Sequence, residues 1–152
     1  MPQFRPIPVT DALAHELLTE YFSYRAESFP TPAGYVTTFP TNEQFEPPAG
    51  VFLVVEGEGN ALGCGGIRQL DAGRFEVKHL WVRAAGRGTG LGRQLLGELE
   101  RCAREWGASE LVLDTNESLA AAGGLYRSSG FVSVEPYNDN PNATTWYRKA
   151  LN

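Results

Sequence analysis

The sequence predicts a mixed α/β fold, a central β-sheet flanked by helices. Three observations carry that expectation. Apolar runs at Val51–Val55, Ala61–Leu70 and Phe75–Val82 are separated only by turn residues, so strand follows strand. From Leu91 onward, apolar residues recur at the spacing of a helix. Strand and helix patterns then alternate to the C-terminus with no repeat and no flexible linker, the layout of a sheet with helices packed on it. At 152 residues, 42% of them hydrophobic, the chain has the size of one domain and can bury a core without a disulfide framework. Residues 1–152 are expected to form that domain.

The elements follow in order. A short strand is expected first and then a helix, because Thr10 and Asp11 offer an N-cap ahead of Leu13, Leu17, Leu18 and Tyr21 on one stripe. Pro30, Pro32, Pro40, Pro47 and Pro48 fix φ and remove donors, which predicts loop over residues 28–50 with a short helix near Thr41–Phe45. Val51–Val55 and Ala61–Leu70 make a hairpin across residues 56–60. Phe75–Val82 alternates until Trp81 and Val82 break the period, a slip that can mark a bulge. Leu91, Leu95, Leu99, Cys102 and Trp106 share a helical stripe that Gly107 stops. Glu110–Asp114 reads as a strand and Ser118–Ser129 as a helix closed by Gly130. Phe131–Val134 and Thr144–Lys149 are two last strands joined by the turn-rich residues 138–142.

Composition excludes several classes. A formal charge of −5 argues against a general nucleic-acid binder. No apolar run approaches the roughly 18 to 20 residues needed to span a bilayer, and the first ten residues lack the pattern of a signal peptide, so a soluble, cytoplasmic protein is expected. Cys64 and Cys102, far apart, read as reduced packing residues. With only His15 and His79 in the chain, no metal site is expected. The charge is uneven: residues 59–104 carry net +4, against −6 before and −3 after. A basic middle of this kind is either a site for a small polyanion or an uneven scatter of solvated charge.

That basic middle holds Arg83–Arg93, where Gly86, Gly88, Gly90 and Gly92 alternate with other residues, Arg87 and Arg93 among them, between a strand and a helix. Glycines there strip away side chains and leave backbone N–H groups at the positive end of the helix dipole, an anion cradle to which the two arginines add charge. The bland alternative is a turn that needs glycine for its geometry. A P-loop would require Gly-Lys-Ser/Thr, which is missing. A dinucleotide fingerprint fails as well, because its third glycine would fall on Leu91 or Arg93.

Arg87-Gly88-Thr89-Gly90-Leu91-Gly92 matches in full the (Q/R)-x-x-G-x-(G/A) motif of the GNAT N-acetyltransferases, which the chain resembles. Around it, residues 76–82 are similar to the family's fourth strand, and Leu125-Tyr126-Arg127-Ser128-Ser129-Gly130-Phe131 is similar to its LY-xxx-GF signature. The three motifs stand in the family's order across residues 50–150. The resemblance implies the acyl-CoA N-acyltransferase fold. It also implies an enzyme that moves the acetyl group of acetyl-CoA to a primary amine of a small molecule, by direct attack through a tetrahedral intermediate. No cysteine is assigned a covalent role.

Site residues follow from the same resemblance. The backbone of Leu80, Trp81 and Val82 would meet the pantetheine arm, and Arg87, Gly88, Thr89, Gly90, Leu91, Gly92 and Arg93 would hold the pyrophosphate. Asn116 would lie beside the pantetheine. Tyr126 would stand next to the thioester sulfur as general acid. A phenol with pKa near 10 can protonate a departing thiolate whose thiol titrates near 8.5, although a tyrosine packed in the core is the alternative. An amine attacks only when uncharged, so a base is expected. Glu76 is the candidate, directly or through water, unless it merely pairs with Arg68 or Lys78. His79 is the rival; a regular strand would turn it to the opposite face, and a bulge would overturn that parity.

Tyr21, Glu27, Tyr35 and Trp146 come from segments that usually wall the acceptor pocket, where a carboxylate would favour a cationic amine. Gly123 and Gly124 depart from the family inside the catalytic helix, each at about 1 kcal/mol relative to alanine. The family commonly dimerises, which allows a homodimer here; no nucleic-acid or membrane partner is expected. Three rival functions stand beside the enzyme: an acyl-CoA-binding or regulatory domain without turnover, a protein lysine or N-terminal acetyltransferase, and a phosphate-nucleotide binder on the same glycine turn.

Overall fold

In a computed structural model, which describes residues 2–31 and 34–151, seven strands form one sheet. The chain runs β1 (Gln3–Pro6), α1 (Ala12–Ser28), β2 (Gly50–Gly57), β3 (Asn60–Asp71), β4 (Arg74–Val82), α2 (Leu91–Glu105), β5 (Glu110–Thr115), α3 (Ala120–Ser128), β6 (Val132–Val134) and β7 (Thr145–Ala150). The strand order is β1-β2-β3-β4-β5-β7-β6. Only β4 and β5 run parallel, so the sheet is mixed, as expected. The last strand of the chain inserts between β5 and β6 instead of taking the edge.

Local signals account for most boundaries. Asp11 caps α1, its Oδ1 accepting the Leu13 N–H at 2.9 Å. Among its described residues the proline-rich segment holds one 3₁₀ turn, over Asn42–Phe45. Gly107 and Gly130 end α2 and α3 in left-handed conformations, with φ of +86° and +96°. The third helix is shorter than its pattern suggests. Asn116 Oδ1 accepts the Ser118 N–H and the Asn116 carbonyl accepts the Leu119 N–H, so residues 116–119 are spent on a turn before α3 begins.

Two apolar cores sandwich the sheet. On one side Leu91, Leu95, Leu96, Leu99 and Cys102 of α2 pack with Leu53, Val55, Ile67, Phe75 and Leu111. On the other, Ala14, Leu17, Leu18 and Phe22 of α1 pack with Phe52, Val54 and Cys64. Among the described residues no helix is long and apolar enough to cross a membrane, and no group of His, Cys, Asp and Glu is assembled to hold a metal ion.

Candidate active site

The sheet parts at its only parallel pair. Pairing of β4 with β5 covers Arg74–Glu76 against Glu110–Val112 and stops there. Both strands run on, β4 to Val82 and β5 to Thr115, so beyond Glu76 the β4 backbone bonds to β3 alone. Its other edge carries N–H and C=O groups that need a partner.

In the same stretch the β3–β4 register shifts by one residue. Gly66 faces Lys78 and Cys64 faces Trp81, which sets Gly65 opposite both His79 and Leu80. This is the bulge that the broken period pointed to, centred two residues earlier. His79 absorbs it with φ of +60°, an uncommon conformation for a residue with a side chain. Gly65 leaves the room: a Cβ there would lie 2.9 Å from Leu80 Cδ1. Lys78 and His79, neighbours that a regular strand would point apart, therefore line one cavity; Leu80 borders it too and packs against the α2 core. The parity expectation for His79 is overturned.

That cavity, of about 460 Å³, lies between α1, β4, α3, the segment 35–45 and the Asn-rich loop 138–142. The His79 ring lies 5.4–5.9 Å from those of Tyr21, Phe22 and Phe45, and its buried Nδ1 has no hydrogen-bond partner. Burial first, and then the charges of Lys78, Arg68 and Arg25, hold the imidazole well below its ordinary 6.5. Tyr126 also faces the cavity, wedged by Phe131 and Tyr147 at 5.9 and 6.0 Å between ring centroids. Burial raises its phenol above the usual range, so the proton stays on oxygen. Of the two glycines of α3, a Cβ on Gly123 would sit 3.0 Å from Arg127 Nη1, which donates to the Tyr147 hydroxyl, whereas a Cβ on Gly124 would meet nothing within 4 Å.

Glu76 is placed differently from a free base. It is fully buried and does not line the cavity; Arg68 Nε donates to its Oε1 at 2.8 Å and the Tyr137 hydroxyl to its Oε2 at 2.6 Å. Of the four pocket candidates, Tyr21 and Tyr35 line the cavity. Glu27 is exposed on α1 and is not among the lining residues, and Trp146 spends its indole N–H on Asn138 Oδ1. Asn116 is buried, with its amide committed to Asn142 O and Ser118 N.

Between β4 and α2 the glycine turn lies open. Gly88 and Gly90 have φ of +78° and +80°, and a Cβ on either would meet nothing within 4 Å, so backbone conformation and not crowding calls for glycine. Among the described residues no hydrogen bond engages the N–H of Gly88, Thr89 or Gly90. Thr89 staples the turn by donating its hydroxyl to Gly86 O at 2.6 Å. Leu91 is buried in the α2 core, and Gly92 sits close against Leu125 of α3.

The charge pattern now resolves. Of the eight bases in residues 59–104, Arg68, Arg74, Lys78, Arg83, Arg101 and Arg104 each pair with a carboxylate. Arg87 and Arg93, the two that flank the open turn, have no carboxylate partner among the described residues. Arg87 donates to Val82 O and lies 5.0 Å over the Trp81 ring; Arg93 is held by Ser128 and Ser129 at the end of α3. Trp81 itself donates to Glu20.

Sequence reasoning missed Arg25, Lys78, Asp114 and the asparagines of the 138–142 loop as cavity residues. The alternation of Asn138, Asn140 and Asn142 was the available signal: each side chain caps the next turn or clamps a neighbour.

The mixed seven-stranded sheet with its flanking helices is the acyl-CoA N-acyltransferase fold. A sequence model of the Acetyltransferase (GNAT) family matches residues 11–131. An uncharacterised N-acetyltransferase of Schizosaccharomyces pombe is 39% identical over 108 residues, 70% of this chain and 66% of that protein, just under two thirds of its length. An IAA acetyltransferase of Azospirillum brasilense is 33% identical over 134 residues, 88% of this chain and 85% of its own. The structure of a GNAT family acetyltransferase from Elizabethkingia anophelis with acetyl-CoA bound superposes with a TM-score of 0.70 over 99% of this chain and 98% of that one, at 16% identity. The chain belongs to the acetyltransferase (GNAT) family, and by class it is an acetyltransferase.

Proposed function

We propose that the protein transfers the acetyl group of acetyl-CoA to a primary amine of a small molecule, as a single domain over residues 1–152. One observation carries the reading: the only cavity-facing proton donor of α3, Tyr126, and the unpartnered imidazole of His79 look into the same space, beside the strand edge that β5 leaves unpaired. The volume and the enclosure by segments 35–45 and 138–142 suit a small acceptor more than a peptide.

The residues fit the cosubstrate. The open amides of Gly88–Gly90, together with those of Leu91 and Gly92 at the helix start and the unpaired charges of Arg87 and Arg93, would hold the diphosphate. The free backbone edge of Leu80, Trp81 and Val82 would bond the pantetheine amides. Asn116, already committed, would act by fixing the loop after β5. Acetyl-CoA, when bound, supplies an activated acetyl thioester.

The amine nitrogen bonds to the acetyl carbon as the carbon–sulfur bond breaks. Tyr126 passes its proton to the departing sulfur, His79 takes the proton that the amine loses, and passage of that proton to the tyrosinate through solvent returns both side chains to their starting states. Burial and the charges of Lys78, Arg68 and Arg25 hold the imidazole in its unprotonated form, which leaves a lone pair for the amine's proton and drives that proton onward instead of letting it stay. Glu76 supports from behind as a positioning residue, holding Arg68 at the cavity wall. Cys64 is buried, with its thiol raised by desolvation and pointed at His79 O, which favours direct transfer over a thioester on the protein.

Thiol release from acetyl-CoA across a panel of amines, amino acids, polyamines and aminoglycosides tests the reading. Amine-dependent release is expected. Tight CoA binding with no release for any acceptor would make the protein an acyl-CoA-binding domain instead.

A further inference from the structure

Thirteen lysines and arginines are present, and among the described residues four have no carboxylate partner: Arg25, Arg87, Arg93 and Arg127. Three of them are exposed on the surface, where water balances the charge. Arg25 is different, with only 8% of its surface accessible. A buried cation without a counter-charge is costly, and folds rarely keep one without a use.

Its surroundings are neutral. Nη1 donates to the Tyr21 hydroxyl at 2.9 Å and Nη2 to Asn142 O at 3.4 Å. The guanidinium lies 5.8 Å from the centroid of the Tyr21 ring and 5.2 Å from that of Tyr35, a clamp of π faces that fixes it without neutralising it. Those two bonds leave three of the five guanidinium N–H groups uncommitted, and Arg25 lines the cavity. The acids in the cavity wall and behind it cannot serve as the missing partner. Asp114 is taken by Lys78 and by the Asn138 amide, and Glu76 by Arg68 and Tyr137. Once those pairs cancel, a single positive charge remains inside the cavity.

We propose that Arg25 binds a carboxylate of the acceptor, which makes the substrate an amino acid rather than a simple or polycationic amine. A carboxylate meets the planar fork of a guanidinium through paired hydrogen bonds, and burial between aromatic rings strengthens them. The amine of the same molecule then faces His79 and Tyr126 across the cavity. This rests on the proposed acetyl transfer for its catalytic readout, and it reverses the expectation that an acidic residue selects a cationic acceptor here.

The test compares the common L-α-amino acids, β-alanine and γ-aminobutyrate, each with its own carboxamide, in two assays on the intact protein. Thiol release gives kcat/KM, and calorimetry gives binding without any need for turnover. The best carboxylate is expected to exceed its carboxamide by about 100-fold in kcat/KM, the scale set by leaving a buried charge unmatched. In Arg25→Gln the ratio is expected to collapse towards one, while Arg25→Lys, which keeps the charge but loses the fork, retains part of it. Turnover of plain amines with no advantage for carboxylates overturns the proposal and leaves acetyl transfer standing. Calorimetric preference for carboxylates without thiol release keeps the Arg25 site and sinks acetyl transfer. Neither binding nor turnover of any carboxylated amine, or an undiminished ratio in Arg25→Gln, also overturns it.

Discussion

The Tyr137 hydroxyl donates a 2.6 Å hydrogen bond to Glu76 Oε2, tying the loop after β6 to the strand that forms the cavity wall. Arg68 holds the other oxygen, and no part of Glu76 reaches solvent. Removing the hydroxyl in Tyr137→Phe strands a buried charged acceptor, so stability should drop by about 1–3 kcal/mol. Glu76→Gln should cost more, because it also leaves Arg68 without its counter-charge. Urea denaturation of both variants measures this; equal stability for Tyr137→Phe and the parent would show that the bond contributes nothing.

His79 gives a pH dependence with a defined sign. Its folded pKa lies well below 6.5, so between that folded value and 6.5 the unfolded chain binds a proton that the folded chain refuses. Stability therefore falls as pH drops below about 6.5, by up to about 1.4 kcal/mol per pH unit from this group, and is fully recovered above it. Asparagine tolerates the positive φ at this position and does not titrate. His79→Asn should flatten the urea midpoint against pH in that window, and an unchanged slope would mean that the imidazole is not the group responsible.

The glycine turn makes a prediction that separates folding from binding. Alanine at Gly88 or Gly90 meets no atom within 4 Å, yet must take φ near +80°, a strain of about 1–2 kcal/mol. If the loop relaxes to shed that strain, its amides rotate away from any bound anion. Calorimetric affinity for coenzyme A should weaken by about tenfold or more, while the urea midpoint moves only modestly. Undiminished affinity in both variants would remove this turn from the binding site.

What the sequence disclosed, and what it withheld, follows from the range of the interactions. The α2 stripe from Leu91 to Cys102, the Asp11 cap and the glycine stops are local, and local rules read them. The glycine turn was legible because its chemistry lies within a few residues, and even the bulge left a trace in the broken period before Val82. Arg25 left none. On the helix it looks like any solvated base, and it becomes a buried cation only when Asn142, 117 residues later, folds back to meet it. The roles of Lys78 and His79 depended in the same way on a register shift opposite Gly65 that no alternation pattern on β4 alone could locate. The surroundings of Glu76 were hidden for a related reason: its spacing placed it on β4, but Tyr137, far along the chain, is what encloses it.

Tyr126 carries the sharpest kinetic prediction. Its ring is packed by Phe131 and Tyr147, and these contacts survive in phenylalanine, so Tyr126→Phe should fold with near-parental stability. Burial lifts the phenol's pKa, so the hydroxyl keeps its proton over the whole working range and has one to donate. Losing a general acid that protonates a leaving thiolate should lower kcat by about 10²–10⁴-fold and leave the calorimetric affinity for coenzyme A nearly unchanged. The deficit should shrink for an acyl donor whose thiol is more acidic, since a better leaving group needs less help from the acid. Equal losses for donors of different thiol acidity would mean that the hydroxyl positions the acceptor and does not deliver the proton.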